Sequence, residues 1–325
     1  MSVTVRPLEI GGVKLANNLV LAPMAGISDS PFRRMCLKGG AGLVCAEMVS
    51  ACAVKYENAK TRRMLFLAPD EHPCSVQIFG SDRDSIRAAV SAAEENGADI
   101  LDINAGCPVK KVIKSGSGSA LMRDPVLFAA VVSAAVENAR IPVTVKFRTA
   151  LREGELLGPQ FATIAQDCGA AAVTVHARPA SSFHEGPVDF AGLEATCRAV
   201  SIPVIGNGGI HNAQDARRMF DCGVSGIMIG RGAVGDPFIF KNLGASLNGA
   251  EPCAPSPRER LACFLDLLSM SVEHYGERMA IVRARKVAGY WIRGFEGASG
   301  IRAEFVRLDS LCAAKNLFLP FLASL

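Results

Sequence analysis

The stretch Arg83–Pro108, RDSIRAAVSAAEENGADILDINAGCP, contains one complete repeat of a parallel-sheet fold. Its first half, Arg83–Asn96, has a helical pattern and is followed by Gly97, a residue type that commonly terminates helices. The apolar run Ile100–Asn104 comes next and is typical of a strand that is buried on both faces. A loop that carries Cys107 follows the strand. Helix, glycine, buried strand and loop in this order predict a β/α unit.

The same alternation recurs over residues 18–247. Further helices are predicted at Pro125–Asn138, Pro159–Cys168 and Ala213–Cys222. A crossover follows each of eight predicted strands, so we expect a (β/α)8 TIM barrel over residues 1–247. A doubly wound sheet is the alternative, but its first strand would lead into a GxGxxG turn, which is absent here. The eight strands are predicted at Leu19–Ala22, Leu43–Ala46, Ser75–Phe79, Ile100–Asn104, Val143–Arg148, Ala172–His176, Val204–Asn207 and Gly226–Ile229.

The composition and the hydrophobic pattern of the chain change after Leu247. Asn248–Pro257, NGAEPCAPSP, has the composition of a linker, and only helical patterns follow it. We therefore expect a small all-α domain over residues 253–325, with helices at Arg258–Tyr275, Arg278–Gly289 and Ile301–Leu311.

The predicted helical domain is basic. From Cys253 onward there are ten Lys or Arg against seven Asp or Glu, so this part carries three of the four net positive charges. Arg283, Arg285 and Arg293 are candidates for contacts to a nucleic-acid backbone, and an ordinary ion-paired helical face is the alternative. Tyr290 and Trp291 are interpreted as packing residues, with base stacking as the alternative.

Composition excludes several classes of protein. Half of the residues are hydrophobic, which argues against disorder, yet no apolar run approaches the ~20 residues of a membrane span. The first residues lack the apolar core of a signal peptide, so a cytoplasmic protein is expected. Eleven cysteines without a CxxC pair fit reduced thiols rather than disulfides or zinc. The five histidines show no ligand spacing, so no metal is expected.

Polar or functional residues stand at the carboxyl end of every predicted strand. Barrel enzymes place their chemistry at this end, because all the loops that follow the strands meet there. Scattered core polar residues would not align in this way, so we interpret the set as an active site. It comprises Pro23, Met24, Glu47, Gln77, Asn104, Cys107, Lys146, Arg148, His176, Arg178, Asn207, Gly208, Gly230 and Arg231.

The last two strand ends suggest a phosphate site. The loops Asn207–Ile210 and Ile229–Gly232 are rich in glycine, and their amides together with Arg231 could bind a phosphate, although plain tight turns are the alternative. Lys146 lies on an apolar strand, where a lone lysine is costly without an anionic partner. A flavin ring would be a suitable partner, since one edge of it becomes anionic on reduction.

The Cys107 loop suggests a thiol that faces a substrate. A free cysteine is most often a small apolar core residue. Here it is followed by Lys110, Lys111 and Lys114 and by a Ser/Gly run, all of which suit an anionic substrate.

Taken together, these motifs resemble the tRNA-dihydrouridine synthases, flavin-dependent barrel enzymes with an appended helical domain, and most of all their bacterial B-type branch. The resemblance runs in the family's order from residue 20 to residue 240 and includes the helical tail. It is carried by Leu21–Gly26, Ser30–Arg33, Gln77–Gly80, Asp102–Pro108, Gly116–Pro125, Val143–Thr149, Val175–Arg178, Ile205–Ile210 and Met228–Ala233.

The resemblance implies a bound FMN, reduced by NADPH, that passes a hydride to C6 of a tRNA uridine, while Cys107 donates a proton to C5. Asn104, Arg148 and Arg178 would bind the uridine, and we expect a monomer. The FMN contacts implied are Pro23, Met24, Ala25, Gln77, Lys146, His176, Asn207, Gly208, Gly209, Gly230 and Arg231.

The chain departs from the family pattern on the RNA side. Where the family has His-Gly-Arg-Thr-Arg and then a tyrosine, this chain has His176-Ala-Arg-Pro-Ala180 and then His184. This departure leaves another RNA, such as ribosomal RNA, open as the substrate. Two further alternatives are a flavin barrel that acts on a small molecule and an RNA-binding module without enzymatic activity.

Overall fold

The computed structural model describes residues 5–324, without the side chains of residues 59, 60, 323 and 324. The strands are β1 (Leu8–Ile10), β2 (Val13–Leu15), β3 (Leu19–Leu21), β4 (Val44–Cys45), β5 (Val49–Ser50), β6 (Cys74–Phe79), β7 (Ile100–Asn104), β8 (Val143–Arg148), β9 (Ala172–His176), β10 (Val204–Asn207) and β11 (Gly226–Ile229). The main sheet is an eight-stranded parallel barrel in the order β3-β11-β10-β9-β8-β7-β6-β4, which a parallel bridge between Val20 and Leu43 closes. β4 pairs with the start of β6, and β5 pairs with its end.

This topology confirms the predicted barrel, and the doubly wound alternative is wrong. The five strands from β7 to β11 have the predicted bounds, whereas β3, β4 and β6 each differ from the predicted bounds by one or two residues. β7, β9, β10 and β11 are buried at every residue, so a continuous apolar run identifies each of them in the sequence.

The register of the barrel brings polar residues of neighbouring strands to one level. Asn104 of β7 pairs with Lys146 of β8, and His176 of β9 pairs with both Arg148 of β8 and Asn207 of β10. Because all these strands are parallel, the level lies at their carboxyl ends.

Helices cover the outside of the barrel. Up to residue 247 they are α1 (Ser30–Lys38), α2 (Ala51–Lys55), α3 (Ala59–Met64), α4 (Arg83–Glu95), α5 (Lys110–Lys114), α6 (Pro125–Val136), α7 (Gly158–Asp167), α8 (Phe190–Ala199), α9 (Ala213–Asp221) and α10 (Ile239–Leu247). They pack side by side, as α4 does between α2 and α6. Most begin at a side-chain cap; Asp82, for example, accepts the Ser85 N–H at the start of α4.

The C-terminal region is helical, and its longest helix, α11, packs on α1 of the barrel. Its core is aromatic: Phe264 stacks on Trp291 with ring centroids 5.5 Å apart and also contacts Phe305 and Phe318. Trp291 is 1% exposed and therefore packs, whereas Tyr290 is exposed. The helices are α11 (Pro257–Tyr275), α12 (Glu277–Ala284), α13 (Ala288–Trp291), α14 (Ala298–Phe305) and α15 (Leu311–Ser324).

The structure corrects the sequence analysis in four places. The helix predicted at Arg278–Gly289 is interrupted after Ala284, and the one predicted at Ile301–Leu311 ends at Phe305. The final helix α15 and the amino-terminal β1–β2 hairpin were not predicted. Within the described range, no helix has the length and apolar character needed to cross a membrane.

Candidate active site

A cavity of about 410 Å³ opens at the carboxyl ends of the barrel strands. Every residue that the sequence analysis assigned to cofactor, substrate or proton transfer lines it, from Pro23 on the first barrel loop to Arg231 on the last. Glu47 is the exception among the strand-end residues, because its carboxylate accepts the Gly26 N–H and lies 3.8 Å from Arg283 instead. The cavity is also lined by Ile27, Met48, Val109, His184, Ile210 and His211, which the analysis did not assign to it.

Glycines shape the wall below β10. Gly208 has φ +127°, and a Cβ there would lie 3.1 Å from Cδ2 of His176. Gly209 has φ +67°, which side-chain-bearing residues rarely adopt. Both positions therefore require glycine, and the backbone of this loop reaches the cavity directly.

Lys146 extends from β8 across the floor of the cavity. Its Nζ donates to Oδ1 of Asn207 at 3.0 Å, and Nδ2 of Asn207 donates to the carbonyl of Met228 at 2.7 Å. Burial and the charge of Arg148 lower the pKa of Lys146 to about 8, although Asp102 partly opposes them. The cation is thus held in place and is costly until an anion approaches it.

The wall of the cavity is strongly positive. It carries Lys146, Arg148, Arg178 and Arg231, and none of the described residues that line it is acidic. Burial lowers the pKa of Arg148 to about 10. Burial and the surrounding cations also lower the pKa of His176, so its imidazole is neutral. An anionic ligand would relieve this uncompensated charge.

Cys107 lies in a loop that is held from two sides. Its backbone N–H donates to Oδ1 of Asn104 at 2.9 Å, and Nε of Arg148 donates to the carbonyl of Gly106 at 2.8 Å. Burial raises the pKa of the half-buried thiol, while the Val109 N–H and nearby cations partly offset the shift. The thiol is protonated at neutral pH and is thus equipped to donate a proton.

Asp102 is a functional candidate that the sequence analysis missed. Its buried carboxylate accepts hydrogen bonds from Gln77 and from Thr144, both at 2.6 Å. A signal was present in the sequence: Asp102 and Asn104 are two residues apart on an apolar strand, so their side chains point to the same face.

Two of the three basic candidates in the C-terminal region are bound within the protein. Arg283 pairs with Asp29 at 3.0 Å, and its guanidinium stacks on the ring of Tyr275 at 4.4 Å. Arg285 donates to the carbonyl of Leu308 at 2.7 Å. Arg293 is exposed. Arg283 therefore fits the ion-paired interpretation better than a contact to RNA, and Arg285 is held by a hydrogen bond to the backbone.

No group of His, Cys, Asp and Glu within residues 5–324 has the arrangement of a metal site. The eleven cysteines are all free thiols.

Fold and site together define a parallel barrel enzyme with a positively charged cavity and a protonated thiol at the carboxyl ends of its strands. The family model described as "Dihydrouridine synthase (Dus)" matches residues 20–322. The chain belongs to the dihydrouridine synthase family.

Curated relatives match along nearly the whole chain. The tRNA-dihydrouridine synthase B of Pseudomonas aeruginosa is 38% identical over 96% of this chain and 95% of its own length. The tRNA-dihydrouridine synthase B of Shewanella oneidensis is 38% identical over 95% of this chain and 97% of its own length. A probable tRNA-dihydrouridine synthase of Rickettsia bellii is 36% identical over 98% of both chains.

Among solved structures, morphinone reductase has a similar fold, with a TM-score of 0.58. The similarity covers 80% of this chain and 93% of that one, at 12% sequence identity. It supports the barrel architecture alone.

Proposed function

We propose that this protein reduces the C5–C6 double bond of specific uridines in tRNA to give dihydrouridine, with FMN as its cofactor and NADPH as the reductant. The observation on which the proposal rests is a cavity lined by a protonated thiol, Cys107, by a buried cation, Lys146, and by the glycine-rich loops after β10 and β11. A tRNA substrate would place the enzyme in the cytoplasm, as the sequence analysis expects.

The residues that line the cavity suit FMN. The Gly208–Gly209 backbone and Arg231 offer donors to a phosphate, and Lys146 offers a positive charge to the ring edge that becomes negative on reduction. Neutral His176 can donate or accept a hydrogen bond without adding to the positive charge. The remaining contacts would come from Pro23, Met24, Ala25, Gln77, Asn207 and Gly230.

When bound, reduced FMN supplies the hydride that adds to C6 of the uracil. The negative charge that this leaves on the uracil is neutralised when Cys107 releases its proton to C5. Arg148 and Arg178 line the same cavity and would bind the uracil edge, and Asn104 accepts the backbone N–H of the proposed proton donor. The uridine must leave the RNA stack to enter the cavity.

RNA binding is assigned to two surfaces. The first is the exposed face of α5, with Lys110, Lys111 and Lys114, directly after the Cys107 loop. The second is the C-terminal region, which we propose to be a tRNA-binding domain over residues 253–325 beside a barrel domain over residues 1–247. Arg293 is its exposed basic candidate.

Changing Lys110, Lys111 and Lys114 to glutamine should raise the KM for tRNA by roughly tenfold or more and flatten its dependence on salt, because fewer counterions are released on binding. Steady-state kinetics at several salt concentrations measure both effects. Arg83→Gln with Arg87→Gln, on the outer face of α4, is the matched control and should change neither. An unchanged KM in the lysine variant would move the RNA surface elsewhere.

The affinity for FMN should fall as the pH rises through about 8, because Lys146 then loses its proton. The dissociation constant should increase by up to about tenfold per pH unit above that point. Fluorescence titration of the apoprotein measures it, and Lys146→Met should remove most of the dependence. A flat profile in the wild type would show that the charge of Lys146 does not contribute to FMN binding.

The experiment that tests the proposed function is a map of dihydrouridine in total RNA from cells with and without this gene. Loss of the base from defined tRNA positions supports the proposal. Loss from ribosomal RNA alone would replace tRNA by that substrate, and an unchanged map would refute the function.

A further inference from the structure

A chain of hydrogen bonds runs beneath the cavity from Asp102 to the Cys107 loop. Nε2 of Gln77 donates to Oδ2 of Asp102 at 2.6 Å, and Nδ2 of Asn104 donates to Oε1 of Gln77 at 2.8 Å. Oδ1 of Asn104 then accepts the N–H of Cys107 at 2.9 Å and that of Gly106 at 3.1 Å. The side chains are buried, with Asp102 4% and Gln77 1% exposed.

This series of hydrogen bonds has a direction, which is set at Asp102. The two carboxyl oxygens accept from Gln77 and from Thr144, so Gln77 turns its NH2 group to Asp102 and its oxygen to Asn104. Burial raises the pKa of Asp102, while these two hydrogen bonds and the charge of Lys146 oppose the shift. Asn104 must then turn its NH2 group to Gln77, which leaves its oxygen for the backbone amide of Cys107. A reversed Asn104 amide would set two donors against each other, and buried donors without partners are strongly disfavoured.

Asp102 acts at a distance from the ligands. It does not line the cavity, and its second oxygen accepts the hydroxyl of Thr144 at 2.6 Å. Each amide of the chain lies one step closer to the cavity, and both Gln77 and Asn104 line its wall.

We propose that Asp102 is a positioning residue that orients the amides of Gln77 and Asn104 and thereby holds the Cys107 loop where the thiol can donate its proton. The role in proton transfer rests on the proposed function, while the orientation of the loop can be tested without it.

Three variants test this role: Asp102→Leu removes the acceptor, Asp102→Asn keeps an oxygen for Gln77 and can donate to Thr144, and Thr144→Val changes only the far side of Asp102. In the FMN-loaded enzyme, Asp102→Leu should lower kcat by about 10- to 100-fold, the effect of a small misplacement of a reacting group. The KM for tRNA should stay within about threefold. Asp102→Asn and Thr144→Val should retain kcat within about threefold.

The second readout is the rate at which iodoacetamide alkylates Cys107, followed by peptide mass spectrometry across pH. Exposed Cys52 serves as the internal reference. In Asp102→Leu the loop should relax and expose the thiol, so Cys107 should react at least about fivefold faster relative to Cys52, whereas Asp102→Asn should match the wild type. If Asp102→Leu does not fold, Asp102→Ser, whose hydroxyl is too short to reach Gln77, replaces it.

The two proposals fail in different ways. Wild-type kcat and wild-type alkylation of Cys107 in Asp102→Leu would overturn the positioning role and leave the proposed function standing. An equal loss in Asp102→Asn would also overturn it, because the charge and not the direction of the chain would then matter. A wild-type enzyme that makes no dihydrouridine would refute the function, and the alkylation rates would still decide the role of Asp102.

Discussion

Cys107→Ala should form dihydrouridine about 10²- to 10⁴-fold more slowly than the wild type, the range expected when a positioned general acid is lost. The thiol is half-buried and its pKa is raised by burial, so the wild-type protein holds a proton there at neutral pH. Single-turnover measurement with reduced enzyme and excess tRNA isolates this step.

The reductive half of the reaction supplies the control for Cys107→Ala. Oxidation of NADPH and the flavin content should stay close to wild type, because the proposed proton transfer involves only the uracil. Cys52→Ala, on the surface at α2, should behave as wild type in both assays. Full activity in Cys107→Ala would return Cys107 to a packing role.

Lys146→Met should weaken FMN binding by about 10- to 100-fold, because a hydrogen bond to a charged group contributes about 1.5–3 kcal/mol. The variant keeps the length and apolar stem of the side chain and removes the cation that Asn207 orients at 3.0 Å. Reduction of the remaining bound flavin by NADPH should also slow, because negative charge then develops without its partner.

Titration of apoprotein with FMN and stopped-flow reduction measure the two effects of Lys146→Met. Lys241→Met, an exposed lysine on α10, is the matched change of charge and should alter neither quantity. An affinity equal to that of the wild type would remove Lys146 from the cofactor site.

The barrel could be predicted because most of its strands can be recognised from their local sequence alone. β7 to β11 are buried on both faces, so each is an apolar run bounded by loops. The break between α12 and α13 has no such signal, since neither proline nor glycine occurs at residues 285–287. At this break, Arg285 donates a hydrogen bond to the carbonyl of Leu308, which is 23 residues away in the sequence.

The positions of the site residues could also be predicted, because parallel strands bring their carboxyl ends together. Their hydrogen-bond partners could not. Arg283 pairs with Asp29, 254 residues away in the sequence, and no local pattern indicates such a contact. In the sequence, Asp102 is simply one residue of a motif, and only the structure shows its hydrogen bond to Gln77, which in turn accepts from Asn104.

The decisive experiment is an assay with the purified protein, an unmodified tRNA transcript and NADPH, in which mass spectrometry of RNA fragments detects a mass increase of two hydrogens at single uridines. We expect a yellow protein that releases FMN on denaturation and forms dihydrouridine at one or a few defined positions. A colourless protein that FMN cannot reconstitute, or a flavin-loaded protein that leaves every uridine unchanged in tRNA, would refute the proposed function.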